Sequence, residues 1–271
     1  MRILCLHGSA LHGQLFEAKT AKLRSLLPQT YSYEWLDGQY HVVPPKLIRD
    51  AYPGPYLSHI ESLTTDGMKS AMARLETIIE ERGPFDGVMG ISESLKGAML
   101  AASLLIKCQM DRQTSTPRFG IFFAGLIPLT WTDSIGQDVH VLMRKYPLLL
   151  DKAVWQQPNT TLCRDRLQAL GAEAEFAPEF QSSLQPVKAS SRPRCLHPDM
   201  HSERLDLPTV HVWGRQDVLS KQSELVLQLC NPDLAESYQH EGGHDVPQLW
   251  PDNEAVSEII QNAILQSEYA L

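Results

Sequence analysis

Short apolar runs recur along this chain, each closed by a glycine or a polar turn and most followed by a stretch with helical spacing. The runs at 3–6, 85–91, 119–124 and 208–213 are rich in Ile, Val, Leu and Phe, as strands buried on both faces require. Residues 31–36 and 235–240 are more polar strand candidates. Between these runs, 14–27, 70–81, 95–107, 220–230 and 253–266 have the spacing of helices, Pro28 and Gly83-Pro84 stop the first two, and Pro44, Pro45, Pro53, Gly54 and Pro55 mark a long loop. Strands alternating with helices dictate βαβ units, hence an α/β fold with a mostly parallel sheet flanked by helices. Residues 129–204 break the rhythm. Helical spacing is visible there at 139–154 and 161–170, while the Ser-, Pro- and Gln-rich 180–194 reads as a mobile loop. Because this stretch lies between two strands, residues 1–271 are read as one domain and 126–206 as a lid-like insertion within it.

Composition narrows the function. The chain has 271 residues, 43% hydrophobic and 21% charged, enough for one sizeable core. Its net charge of −8 repels phosphate backbones and argues against nucleic acid as a partner. Cys5, Cys108, Cys163, Cys195 and Cys230 are scattered, without a C-x-x-C pair, so neither a zinc knuckle nor a redox dithiol is expected. Scattered thiols suit a reducing compartment. The apolar run near the N-terminus is too short for a signal peptide, and no run of about 18 apolar residues suggests a membrane span. A cytoplasmic protein without a membrane partner is the expectation.

In an open parallel sheet, function gathers at the carboxyl ends of the strands. Three such ends carry reactive side chains: Gly90-Ile91-Ser92-Glu93, Trp213-Gly214-Arg215-Gln216-Asp217 and Gly242-Gly243-His244. A serine hydroxyl is a weak nucleophile at neutral pH. It needs a base to take its proton, and the base needs an acid to fix its tautomer. Ser92, His244 and Asp217 supply those roles in the chain order Ser, Asp, His that α/β-hydrolases use. A serine on a strand-to-helix turn also aims the next amide, here Glu93, at a bound carbonyl oxygen. The second oxyanion donor is expected from the Gly8 turn after the first strand, through the main-chain N–H of Ser9 or Ala10.

These residues sit in a wider pattern. The stretches Ile3-Leu4-Cys5-Leu6-His7-Gly8, Phe16-Glu17-Ala18-Lys19-Thr20, Pro53-Gly54-Pro55-Tyr56, Pro84-Phe85-Asp86-Gly87 and Gly90-Ile91-Ser92-Glu93 resemble those of the fungal FSH group, the "family of serine hydrolases". His197-Pro198-Asp199, the run from Pro208 to Asp217, and Gly242-Gly243-His244 extend the likeness to most of the chain outside about residues 126–195. The resemblance implies a Ser92–Asp217–His244 triad, no cofactor and hydrolysis of an ester or acyl thioester. It also implies work in fungal secondary metabolism, releasing a polyketide from a synthase carrier domain.

One departure from that family matters. Its elbow is similar to G-x-S-x-G-A, but here Ser94 stands two residues after Ser92, and the Gly-Ala pair arrives only at Gly97-Ala98. Ser94, Leu95 and Lys96 look like an insertion. Three residues would rotate the following helix by roughly 300°. The turn must therefore bulge, or the helix must shift so that Ala98, Ala101 and Ala102 again face the sheet. An alternative function follows, a catalytically impaired acyl-binding protein on the same fold. A transferase or lyase using the same residues is another. Ser94 is an alternative nucleophile, and Asp245 an alternative partner for His244.

Other residues have weaker claims. His240-Glu241-Gly242-Gly243-His244 spells H-E-x-x-H, but two glycines oppose the helix such a zinc site needs, so no metal is expected. His197 and His201 share a polar loop with Pro198. His7 reads as a structural turn residue and Glu93 as a residue of the site mouth. Trp35, Tyr40, Tyr52 and Tyr56 either line an acyl pocket or pack on the core; Trp131 and Trp155 either sit in the lid or do not.

Overall fold

The computed structural model describes residues 1–44, 46–92, 96–112, 117–139 and 193–269. In chain order its elements are β1 (Arg2–Leu6), α1 (Gly13–Lys19), α2 (Ala21–Ser25), β2 (Ser32–Leu36), β3 (Tyr40–His41), α3 (Lys46–Ala51), β4 (Leu57–Ser58), α4 (Thr65–Arg82) and β5 (Gly87–Ile91). Then follow α5 (Gly97–Met110), β6 (Phe119–Phe123), β7 (Gln137–Asp138), β8 (Arg194–Cys195), β9 (Thr209–Gly214), α6 (Ser220–Gln228), β10 (Ala235–His240) and α7 (Trp250–Tyr269).

Six strands form one sheet in the order β10-β9-β6-β5-β1-β2, and every neighbouring pair is parallel. Side chains alternate across it, as strand geometry requires. Leu4, Leu6, Val88 and Phe122 face a layer built from α4, α5 and α6, where Met72, Leu104 and Val226 are buried. Ile3, Cys5, Ile121 and Val212 face the other way, onto Phe16 and Leu23 of α1 and α2 and Val256 and Ile260 of α7. Helices on both faces bury both sides of the sheet at its centre, so β1, β5, β6 and β9 are mainly apolar, while the outer strands β2 and β10 are more polar.

The chain leaves β1 towards β2, then crosses to the opposite side of β1 to lay down β5, β6, β9 and β10. The loops after β1 and β5 therefore diverge. Such a switch point opens a crevice at the carboxyl edge of the sheet.

Three local expectations need correction. The helix expected over 14–27 is two, α1 and α2, because the Thr20 hydroxyl donates back to the carbonyls of Phe16 and Glu17 and breaks the run. The Pro- and Gly-rich loop around 44–55 contains α3 and is framed by the antiparallel pair β3–β4. The helix expected from residue 95 begins at Gly97. The flanks of the proposed lid, 126–139 and 193–206, send Leu126, Ile127, Leu129 and Leu196 into the main core, and β7 pairs with β8. Its centre, 140–192 with Trp155, lies outside the described residues.

Candidate active site

Ser92 follows β5 directly, and its amide donates to the Phe123 carbonyl at 3.0 Å, prolonging the β5–β6 pairing by one residue. The backbone is thus fixed up to the serine. Its hydroxyl is buried and engages no described group. Beyond the turn, Gly97 packs so closely beneath it that a Cβ there would lie 2.2 Å from the Ile91 carbonyl oxygen and 2.4 Å from that of Leu6. Gly97 therefore fills the place of the family's elbow glycine. Ala98, Ala101 and Ala102 are 1%, 0% and 1% exposed, facing the core. Glu93, Ser94 and Leu95, with the expected Glu93 amide donor and the alternative Ser94 nucleophile, lie outside the described residues.

Lys96, the last inserted residue, is 8% exposed. Its Nζ donates to Ser58 Oγ at 3.2 Å and to the Ile60 carbonyl at 3.3 Å. Ser58 in turn donates to Ile60 O and accepts from Ile60 N, so Lys96 is held by a self-contained turn after β4.

Asp217 and His244 come from the ends of β9 and β10. The Asp217 carboxylate is fully buried; its Oδ1 accepts from the Leu219 amide at 2.7 Å, and its Oδ2 lies 2.8 Å from His244 Nδ1. His244 Nε2 lies 2.8 Å from the main-chain carbonyl of Ser92. Both contacts are with acceptor oxygens, so only a ring protonated on both nitrogens satisfies them together. The two loops approach closely because Gly214 has no side chain: a Cβ there would lie 2.0 Å from the Gly242 carbonyl oxygen. The Gln216 amide donates to that same carbonyl at 3.0 Å. Residues 240–244 form a strand end and a turn, so His240 and His244 do not share a helix face.

Across the switch point, the β1 loop carries Ser9 and Ala10, the two candidates for the second oxyanion amide. Ala10 sits in the left-handed region at φ 57, and its N–H donates to the Leu57 carbonyl at 2.9 Å. That bond occupies the Ala10 amide and corrects its candidacy. The Ser9 amide has no partner among the described residues. His7 braces the loop: its Nε2 accepts from the Gly38 amide at 2.9 Å, and its Nδ1 donates to the Gly8 carbonyl at 2.6 Å. Burial lowers His7 to about 4 and His59, whose ring centroid is 4.3 Å away, well below the usual histidine range. Both stay neutral at pH 7.

The aromatic candidates divide. Trp35 packs edge-on against Phe16 at 5.3 Å and belongs to the core side of β2. Tyr52 and Tyr56 pack beside Ala10 and Leu11, at the β1 loop, and Trp131 packs against the main core. Sequence reasoning missed Ser58 and the burial of Lys96. Nothing in the spacing marked Ser58, and a lysine beside a helix start reads as solvated.

The family profile described as Serine hydrolase (FSH1) matches residues 1–256. Esterase alnB of Emericella nidulans is 26% identical over 282 residues, covering 98% of both chains. Hydrolase FUB4 of Gibberella moniliformis is 28% identical over 263 residues, covering 91% of this chain and 92% of its own. Among solved structures, a carboxylesterase from Mesorhizobium loti superposes over 96% of this chain and 88% of its own with a TM-score of 0.50 at 12% identity, a likeness of fold.

Proposed function

The chain belongs to the serine hydrolase (FSH1) family and has an α/β-hydrolase fold, and from that premise we propose that Ser92, His244 and Asp217 hydrolyse a carboxylic ester or acyl thioester. The observation that carries the proposal is the convergence of His244 on the Asp217 carboxylate and on the main-chain carbonyl of Ser92, at 2.8 Å each, from the ends of separate strands. In the reaction, His244 Nε2 takes the proton of Ser92 Oγ as that oxygen bonds to the substrate carbonyl carbon. Asp217 holds the ring and stabilises its charged form. The carbonyl electrons move to oxygen, held by the Ser9 amide and by the amide of Glu93. Collapse expels an alcohol or thiol, which takes the proton back from His244. Water, losing its proton to His244, then attacks the acyl-serine; the bond to Ser92 Oγ breaks as His244 returns that proton to Oγ, and the acid is released. The ring contacts in the structure suit the doubly protonated stage of this cycle, and a turn from the Ser92 carbonyl to its hydroxyl starts the next one.

The names of the relatives, an esterase and a hydrolase, support an acyl substrate, and the family resemblance supports a small-molecule or carrier-bound acyl group of fungal secondary metabolism. The described cysteines Cys5, Cys108, Cys195 and Cys230 are free and buried, which supports a cytoplasmic setting. No described helix is long and apolar enough to cross a membrane.

One observation favours a second reading. The Ser92 hydroxyl is buried and His244 addresses the carbonyl, the arrangement expected of an impaired acyl-binding protein. Labelling with a fluorophosphonate and mapping the adduct separates the two. Under the hydrolase reading Ser92 is modified, His244→Ala abolishes labelling, and Ser92→Ala lowers kcat/KM on a p-nitrophenyl ester by about three to six orders of magnitude. A folded protein that stays unlabelled is the binding protein.

A further inference from the structure

The Phe16-Glu17-Ala18-Lys19-Thr20 stretch takes no part in the chemistry above, yet Lys19 reaches the loop that delivers His244. At the last position of α1, its side chain is 6% exposed. Nζ lies 2.8 Å from Asp245 Oδ2 and 3.0 Å from the Tyr52 hydroxyl of the segment after α3. Asp245 is the residue next to His244. Its other carboxylate oxygen accepts from the Val246 amide at 2.7 Å, and its carbonyl receives His240 Nε2 at 3.1 Å. A second lysine from the same helical pair, Lys22 of α2, donates to the Gln248 carbonyl at 2.5 Å. The loop bearing the base is thus held from outside its own strand at two points.

We propose that Lys19 is a positioning residue for His244, acting through Asp245; the proposal rests on the hydrolase reading. Two physical effects follow from the ion pair. It fixes the peptide that joins His244 to Asp245, so the imidazole pivots about a stationary backbone. It also turns the Asp245 carboxylate towards α1, leaving the His244 Nδ1 to Asp217 of the loop after β9. A mostly buried ion pair contributes little net stability once desolvation is counted, so its effect is expected in geometry before it is seen in melting. Misplacement of a reacting group by about 1 Å costs on the order of a hundredfold in rate.

The test uses the full chain and a p-nitrophenyl ester, with fluorophosphonate labelling of Ser92 in parallel. Lys19→Met and the isosteric Asp245→Asn are each expected to lower kcat by about 10- to 100-fold with KM within about twofold. The double variant should be no slower than the slower single one, since both remove one ion pair. Lys19→Arg should recover most of the rate. Wild-type kcat in both single variants overturns the proposal, as does a loss carried by KM, which would make Lys19 a substrate contact. Multiplying losses in the double variant also overturn it. If Lys19→Met fails to fold, Asp245→Asn decides by the same criteria. Labelling at Ser92 that depends on His244 but not on Lys19 or Asp245 sinks this inference and leaves the hydrolase reading intact. Absence of labelling in the unaltered protein sinks both.

Discussion

Ser58 and Lys96 make a contact in which the needs of the partners are unequal. Ser58 Oγ and the main chain of Ile60 satisfy each other, whereas the buried Lys96 ammonium requires acceptors. Ser58→Ala removes one of those acceptors and strands the Ile60 amide. We expect a loss of about 1–3 kcal/mol, read as a lower midpoint in denaturant unfolding. Among single residues, Ser92, Asp217 and His244 stood out in the sequence as candidates because each follows a strand and carries a reactive side chain; the structure brings His244 to the Asp217 carboxylate and to the Ser92 main-chain carbonyl. Ser9 and Ala10 were indistinguishable in the sequence, since a backbone amide's availability depends on what lies opposite it, and Leu57 is 47 residues from Ala10 in the chain. Burial of Lys96 was illegible for the same reason: its acceptors come from a distant turn.

The sequence around α5 admitted a bulged turn or a shifted register; the helix starts at Gly97 and buries Ala98, Ala101 and Ala102. Backbone carbonyls, which cannot step aside as a side chain does, surround the missing Cβ of Gly97. Gly97→Ala is therefore expected to push α5 off β1 and β5 at a cost of about 2–4 kcal/mol, and to slow fluorophosphonate labelling of Ser92. An alanine variant as stable and as fast as the original would show that the close approach is dispensable. Strands and long helices were legible because their apolar spacing repeats. The β3–β4 pair and α3 were not, since two-residue strands and a six-residue helix carry too little periodicity to stand out against Pro44, Pro53, Gly54 and Pro55. The break at Thr20 also escaped notice, because a hydroxyl bonding backwards leaves no mark in hydrophobic spacing.

The parallel sheet was legible from strand–helix alternation, but the strand order that puts a switch point at β1 is a matter of long-range pairing. Burial on this scale also makes stability depend on pH. His7 is lowered to about 4 and His211 to about 3, with His59 well below the usual range, all through loss of hydration. Unfolded, each regains a value near 6.5 and binds a proton that the folded form refuses. Stability from these groups is thus complete above about pH 7. It falls as pH drops below about 6.5, by about 1.4 kcal/mol per pH unit for each histidine until its folded value is reached. Denaturant unfolding at a series of pH values from 7.5 to 5 should trace that decline, and a flat series would contradict it. The outermost position of β10 has a different consequence. Among the described strands it pairs only with β9, and most of its residues are half-buried or exposed, yet it leads into the turn that bears His244. Partial opening at a sheet margin needs less free energy than collapse of the centre. Hydrolytic activity should therefore disappear at a lower urea concentration than the signal of global unfolding. Amide exchange across 235–240 should be faster than across the centre of the sheet at β5 and β6. The molecule would then lose its trade before it loses its shape.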